Sequence, residues 1–348
     1  MRTLEWESTQ NQLKMVDQRV LPSEFTHIYL SDHIQVADSI RNMAVRGAPA
    51  IGVAAAYGMA LAAINASAST VEVLRTELVS AAEVLEAARP TAVNLPWALK
   101  RMLGVAARQY DSVAALQQAL LQEAHEMADE DVEANMRIST NGAELINDGD
   151  TIIHHCNTGA LATVDWGTAL GVIRMAYDQG KKIHVLVDET RPRLQGARLT
   201  AWELQQYGIP FDIISDNSAG YFLRSGKVSK VIFGADRVAR NGDVANKIGS
   251  YMLALAAHAN NVPVYSVFPF STIDIELAHG GLIPIEERPP DEVLDLKLHD
   301  RKVTPDNASA RNPAFDVTPH ELISGLITEK GVITPPFEEK LVNLMGEG

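Results

Sequence analysis

Over the first 147 residues, apolar side chains recur at helical rather than alternating intervals. Asp38–Val45, Ala50–Ala63, Val71–Ala88, Leu95–Gln109 and a long polar-faced segment from Val113 to about Asn147 carry them on one stripe, which predicts helices. Alternation is confined to short stretches near Leu13–Asp17 and Val20–Leu21, the only strands expected there. Pro90 and Pro96 stop or start helices through their fixed φ. After Asp150 the rhythm changes. Thr151–His155, Ile183–Asp188, Phe211–Ser215, Val231–Ala235 and Val262–Phe268 are short apolar runs, most of them separated by helix-like stretches, the pattern of parallel βαβ units. In such a sheet ligands bind at the carboxyl ends of the strands, so residues just after those runs are the first to read for chemistry. The turn signals Asn141-Gly142 and Asn147-Asp148-Gly149-Asp150 put the boundary of the halves between 115 and 150. The acidic Met127–Ala134 stretch reads as a solvated face of the helix that joins them.

Composition narrows the class. A chain of 348 residues, 46% apolar and 21% charged, folds, as two domains or one large one. The charge balance of 30 basic and 44 acidic residues gives −14, and no basic stripe is present to follow phosphate backbone; nucleic acid and anionic membranes are therefore poor partners. The single cysteine, Cys156, allows no internal disulfide or Cys-rich zinc site and fits a reducing cytoplasmic setting. The N-terminal MRTLEWESTQ lacks the apolar core of an export signal. Gly47–Val71 carries no charge and is long enough to span a membrane, but it is mostly Ala, Gly and Ser with Pro49, Tyr57 and Asn65, which predicts a tightly packed interior helix.

Several motif matches fail. Gly220 to Lys227 has five residues between its glycines where a phosphate loop has four, and Val228 follows the lysine. No G-x-G-x-x-G follows a strand, so a nicotinamide dinucleotide has no fingerprint. His154, His155 and Cys156 are neighbours on a strand, point to opposite faces and cannot jointly ligate one metal; at least one of the histidines is expected to be structural.

Other constellations survive. Cys156 ends the first strand before the small-residue loop Asn157–Thr163, where a thiol near a helix start can act as base or nucleophile, or be an inert buried hydrophobe. Asp236, just past Val231–Ala235, faces the same rim beside Phe233 and Ala235. Desolvation there would suit a general acid, the alternatives being a helix cap or a salt bridge to Arg237. Asn246 and Lys247 stand near a helix start, an amide for hydroxyls and an ammonium for an anion. The loop after the second strand holds Arg191, Arg193 and Arg198, suited to phosphate, and Gln195, suited to a sugar hydroxyl. Arg46-Gly47-Ala48 and Arg89 each precede a helix, the arrangement of a phosphate clamp.

Seven segments, RGAPAIG (46–52), RPTAVNL (89–95), HCNTGALAT (155–163), VDETRPRLQGARLTAWEL (187–204), GADRVARNGDVANKIG (234–249), IPIEERP (283–289) and NPAFDVTP (312–319), resemble in this order the methylthioribose-1-phosphate isomerases of methionine salvage. That family is related to the regulatory subunits of initiation factor 2B and to ribose-1,5-bisphosphate isomerases. The resemblance implies an α/β protein with an N-terminal mostly helical domain (1–125), a connecting helix (126–147) and a C-terminal Rossmann-like parallel-sheet domain (148–348). It further implies a cytoplasmic homodimer of methionine biosynthesis, without metal or redox cofactor, that converts an aldose phosphate to a ketose phosphate. Carried over by position, the family's cysteine is Cys156 and its proton-donor aspartate Asp236; its substrate contacts are Arg46, Gly47, Ala48, Arg89, Gln195, Asn246 and Lys247. Phe268 stands where the family has Ala, which bears on the pocket wall; Phe268 or Trp166 is expected beside the methylthio group.

The chemistry accounts for these types. In 5-methylthioribose 1-phosphate the anomeric oxygen is esterified, so the ring opens only if its oxygen is protonated, the role expected of Asp236. Hydrogen then moves from C2 to C1, by proton abstraction at Cys156 or by a direct hydride shift with Cys156 stabilising charge. The helical domain is expected to close as a lid that excludes water. The rival readings are a ribose-1,5-bisphosphate isomerase and a non-catalytic subunit related to initiation factor 2B; retention of both Cys156 and Asp236 argues against the second.

Overall fold

The computed structural model describes residues 1–89 and 93–346. Pro90, read as a helix stop, lies outside the described residues. Backbone contacts divide the chain into two compact units: Met1–Arg137 with Thr158–Gly171, and Ile138–Asn157 with Val172 onward. The division falls inside the long helix that the sequence places between the halves, and residues 158–171 group with the first unit.

The first unit opens with three antiparallel strands, β1 (Leu4–Glu7), β2 (Gln12–Val16) and β3 (His27–Leu30). Of these the sequence supplied only the second, near Leu13–Asp17; Val20–Leu21 is turn. β1 and β3 are four residues each and only partly buried, too short for alternation to register. Five helices follow: α1 (His33–Arg41), α2 (Ala48–Asn65), α3 (Val71–Glu86), α4 (Asn94–Ala106) and α5 (Val113–Ala143). α1 begins five residues before the expected Asp38 because Asp32 accepts the Gln35 N–H and caps it. Thr70 does the same for α3 through the Val73 N–H.

Helix α2 is apolar all round, and that fixes its place. Of its 18 residues 13 are buried, and α1, α3 and α4 pack against it. It is long and apolar enough to cross a membrane, yet most of it is buried inside the protein, as the sequence anticipates for a core helix. Segment 158–171 is stitched to this unit. The Met1 amine sits 3.0 Å from Asp165, the Thr3 N–H donates to Val164 O (2.8 Å), and the Gln18 amide donates to Leu161 O (2.7 Å). From α5, the Asp131 carboxylate accepts the Val164 N–H at 2.7 Å.

The second unit is built on a seven-stranded sheet. In chain order its strands are β4 (Thr151–His155), β5 (His184–Asp188), β6 (Phe211–Ile214) and β7 (Lys230–Phe233), continued after the next pair by β10 (Val264–Val267), β15 and β16. A smaller four-stranded sheet uses β8 (Arg237–Ala239), β9 (Val244–Lys247), β11 (Ile273–Asp274) and β14 (Phe315–Thr318). The pair β12 (Lys297–Leu298) and β13 (Arg301–Lys302) forms a separate hairpin, while β15 (Gly325–Thr328) and β16 (Gly331–Ile333) complete the main sheet. Its helices are α6 (Ala169–Asp178), α7 (Ala201–Tyr207), α8 (Ala219–Arg224), α9 (Ser250–Ala259), α10 (Asp291–Leu294) and α11 (Phe337–Gly346).

The main sheet runs β16-β15-β10-β7-β4-β5-β6, parallel except for β16 at the edge. Counted along the chain, its six parallel strands lie in the order 3-2-1-4-5-6, the doubly wound arrangement. All five strands expected from sequence are present within a few residues. The strands of the smaller sheet were not anticipated, and Val244–Lys247, read as the approach to a helix, is β9; α9 starts three residues later at Ser250. Phe233, Phe268, Val264 and Leu326 form part of the core against this sheet.

Asp131 gives the first unit a pH dependence. Burial raises its carboxyl from 3.8 to about 7, against the lowering effect of the Val164 N–H and Asn135. Between about pH 4 and 7 the folded chain holds a proton that the unfolded chain lacks, so this group's contribution to stability falls as pH rises through that window. Asp131→Asn keeps an acceptor for Val164. Thermal unfolding should show it more stable than wild type at about pH 8, with a smaller loss between about pH 5 and 8.

Candidate active site

In a doubly wound sheet the crevice lies where the strand order reverses, here between β4 and β7. The carboxyl end of β4 carries Cys156 and that of β7 leads to Asp236, with His155 paired to Phe233 across the register. Topology thus brings together the two residues that the sequence singles out for catalysis.

The turn after β4 is held at three successive residues. His155 is fully buried; its Nδ1 lies 2.8 Å from Asp188 Oδ2 and its Nε2–H donates to Ile248 O at 2.9 Å. Burial lowers the imidazole's proton affinity, but the hydrogen bond and charge of Asp188 outweigh it and leave His155 above its ordinary value. Burial likewise holds Asp188 above the usual carboxylate range, against the lowering effect of the His155 hydrogen bond. Cys156, buried, adopts a left-handed φ of 67°. Its N–H donates to Thr190 Oγ1 (2.9 Å), and its carbonyl accepts the Thr200 hydroxyl (2.6 Å). The Asn157 side-chain amide donates to Glu203 Oε1 at 2.8 Å and Thr200 Oγ1 at 3.2 Å, both on buried residues.

The loop after β5 is itself fixed. Asp216 accepts the N–H groups of Thr190 and Arg191, each at 2.7 Å, and the Thr190 hydroxyl donates to Asp188 O. Gly196 packs so closely that a Cβ there would lie 1.7 Å from Asp188 O. Gln195 beside it is buried, and its Oε1 has no protein partner, an acceptor waiting for a donor.

Asp236 is half-buried at the start of the β8–β9 hairpin, where its N–H donates to Ala245 O at 2.9 Å. Arg237, weighed as its salt-bridge partner, reaches Asp274 at 3.4 Å. On β9, Asn246 is buried and donates to Ser250 Oγ (2.8 Å), while Lys247 points to the other face, donating to Ala314 O (2.8 Å) over the Phe315 ring. Asp316, opposite Asn246 on β14, accepts the Gly249 and Tyr251 N–H groups at the start of α9.

The remaining expected residues belong to the first unit. Arg46 and Arg89 are half-buried. Gly47 starts α2 at φ 96°, and no side chain caps that helix. A Cβ on Gly47 would meet Ala162 O at 2.3 Å, so only glycine lets the α2 terminus approach the 160–162 turn. In the RPTAVNL stretch Asn94 is buried with its Oδ1 lacking a protein partner. Of the two aromatics expected by the methylthio group, Phe268 is wholly buried in the core of the second unit and Trp166 is half-buried in the first.

Two clusters of potential metal donors occur among the described residues, His155–Asp188–Asp216 and Asp243–His320–Glu321. In both, hydrogen bonds occupy donor atoms: Asp216 takes two amides, and Asp243 takes the N–H groups of Gly280 and His320. His154 donates from Nδ1 to Ile232 O, and burial lowers it to about 4, so it is a neutral structural residue. Sequence reasoning missed the supporting set His155, Asp188, Thr190, Thr200 and Glu203. Asp188 carried a signal, a carboxylate at the end of a strand; Thr200 and Glu203 lie within the 187–204 segment that carries the resemblance, but nothing local in it shows that they reach back to the β4 turn.

Comparison with known proteins bears on what this arrangement does. The Initiation factor 2 subunit family matches residues 44–335. Methylthioribose-1-phosphate isomerase 2 of Pseudothermotoga lettingae is 52% identical, covering 99% of this chain and 98% of that protein. The methylthioribose-1-phosphate isomerase of Fervidobacterium nodosum is 51% identical with the same coverage. Among solved structures, 5-methylthioribose 1-phosphate isomerase from Pyrococcus horikoshii is similar with a TM-score of 0.92 at 45% identity, over 100% of this chain and 96% of that one. Translation initiation factor eIF-2B, subunit delta, from A. fulgidus is similar with a TM-score of 0.87 at 44% identity, over 99% of both.

Gly196 offers a test of how firmly the loop supports the turn. Gly196→Ala puts a methyl against backbone that cannot retreat, and the loss of stability in chemical denaturation should be about 2 kcal/mol or more. An unchanged midpoint would mean that the loop yields freely.

Proposed function

Because this chain belongs to the methylthioribose-1-phosphate isomerases of the initiation factor 2 subunit family, we propose that it converts 5-methylthio-D-ribose 1-phosphate to 5-methylthio-D-ribulose 1-phosphate, as an aldose–ketose isomerase of methionine salvage. The observation that carries the reading is the placement of Cys156 and Asp236 at the carboxyl ends of the two strands that flank the sheet's switch point.

Asp236, protonated, gives its proton to the ring oxygen as the C1–O4 bond breaks, and the phosphate-bearing oxygen shares the positive charge left at C1. In one route Cys156 as thiolate removes the C2 proton, giving an enol phosphate that takes a proton at C1 while the C2 hydroxyl becomes the ketone. In the other, hydride passes from C2 to C1 and Cys156 stabilises the charge. Arg46, Arg89 and the α2 amides at Gly47 and Ala48 bind the phosphate. Gln195 accepts a sugar hydroxyl through its unpartnered Oε1. Lys247, held by Ala314 O, meets the anionic end of the substrate with its ammonium charge, and Asn246 offers its carbonyl. We infer a cytoplasmic homodimer without metal or redox cofactor on the same family grounds.

One observation favours a second reading: the 44% identity to a chain named as a translation factor subunit. That chain is named for translation initiation, whereas the clamped Cys156 turn and Asp236 favour catalysis. Incubation of the protein with 5-methylthioribose 1-phosphate in deuterated water, followed by proton NMR, separates these. Ketose product is expected. Deuterium at C1 assigns the proton-transfer route, and its absence assigns hydride shift or a shielded base. No product overturns the isomerase reading. Asp236→Asn should lower kcat by roughly 10²–10⁴ while KM changes little, the size of a lost general acid; retained turnover would remove Asp236 from that role.

A further inference from the structure

The loop after β5 carries three arginines within eight residues, of which the proposed reaction uses none; it takes only Gln195. Arg191, Arg193 and Arg198 converge on one cleft of about 430 Å³ in the second unit, joined by Lys297 from β12. Ordering several long cationic side chains around one space costs entropy and mutual repulsion, which a connector between strand and helix has no reason to incur.

The acidic groups nearby offset most of that charge but not all of it: the lining carries four cations and three carboxylates. Arg191 donates to neutral carbonyls, Pro192 O at 2.9 Å and Val293 O at 3.3 Å. Arg193 reaches Glu292 at 3.0 Å, but Arg288 holds the same carboxylate at 2.7 Å and Asn312 donates to it at 3.1 Å. One carboxylate therefore serves two guanidinium groups. Asp291 and Asp295, also on the lining, are exposed, and Asp295 lies 3.9 Å from Lys302 outside the cleft. Burial, together with the charge of Arg193, lowers the proton affinity of Arg198. The frame is rigid, since Asp216 fixes the Arg191 N–H and Gly196 abuts Asp188 O. Leu194 and Leu296 add apolar surface beside the guanidinium groups.

We propose that this cleft is a second anion site, which takes a small organic phosphate monoester, its phosphate on the arginines and its carbon portion on Leu194 and Leu296. The cleft is built wholly from residues of the second unit, and only its being a second phosphate site, beside the contacts assigned above to Arg46 and Arg89, rests on the proposed function. The planar fork of arginine matches phosphate bidentately, and crowded guanidinium groups are relieved when an anion enters.

Calorimetric titration of the full chain with inorganic phosphate, and separately with ribose 5-phosphate, tests this. Two anions per chain are expected. Arg191→Gln/Arg193→Gln should lose one of them and Arg46→Gln the other, each with affinity at that site weakened roughly tenfold or more. Arg198→Lys, which keeps the charge and the fold but loses the fork, should weaken the cleft in the same direction. Tighter binding of the monoester than of free phosphate at the cleft supports the monoester; equal affinities overturn it in favour of the bare ion. A single anion per chain, lost in Arg46→Gln and unaffected by the cleft variants, overturns the second site. A single anion lost only in the cleft variants supports it and instead removes Arg46 from phosphate binding.

Discussion

Two threonine hydroxyls hold Cys156 in a backbone conformation that it would not choose. A left-handed φ costs a side-chain-bearing residue roughly 1–2 kcal/mol. The bonds from the Cys156 N–H to Thr190 and from the Thr200 hydroxyl to the Cys156 carbonyl each return about 1 kcal/mol, enough together to offset that cost. The residues on either side are fixed from other elements, His155 by Asp188 and Ile248, Asn157 by Glu203 on α7. β4, β5, the arginine loop and α7 therefore meet at one thiol. Folding of the second unit therefore fixes the backbone that carries Cys156.

The site does this without a glycine-rich phosphate turn. In the usual doubly wound dinucleotide domain the first strand runs through a tight glycine turn into a helix whose amides take the phosphate. Here the first strand ends in a clamped cysteine. The β8–β9 hairpin, inserted between β7 and α9, brings Asp236 to the rim and sets Asn246 and Lys247 on opposite faces of one strand. Strand periodicity thus explains why two adjacent residues of one motif have different partners. It also separates their tasks, an amide held beside Ser250 and an ammonium held over Phe315.

Legibility in the sequence followed the range of the forces involved. The five central strands and α2 to α4 were readable because periodic burial is a local signal, repeated over several residues. β1 and β3 were not, since a four-residue, half-buried strand offers too few periods. The smaller sheet was invisible because its pairing joins Val244–Lys247 to Phe315–Thr318, nearly seventy residues on, and neither run is apolar enough to announce itself. Cys156 and Asp236 stood out by position at strand ends. The residues that support them did not, since Thr200 and Glu203 acquire their roles only when α7 folds back on the β4 turn. Phe268 belongs to the core of the second unit for a related reason: an aromatic next to a functional motif is equally at home in the core, and only packing decides.

The overall charge sharpens what phosphate recognition requires of this family member. A chain at −14 repels an anion at long range, but that repulsion is screened beyond about 8 Å at physiological ionic strength. Inside that distance the local groups decide, and the chain keeps its arginines next to rigid backbone: Arg46 before the glycine that seats α2 against the 160–162 turn, and Arg191 in a loop fixed by Asp216. A guanidinium on a fixed frame loses less freedom on meeting phosphate than one on a mobile loop, so more of the contact remains as affinity. On the proposed reading, rigid backbone beside each arginine is thus what lets an acidic protein hold an acidic ligand.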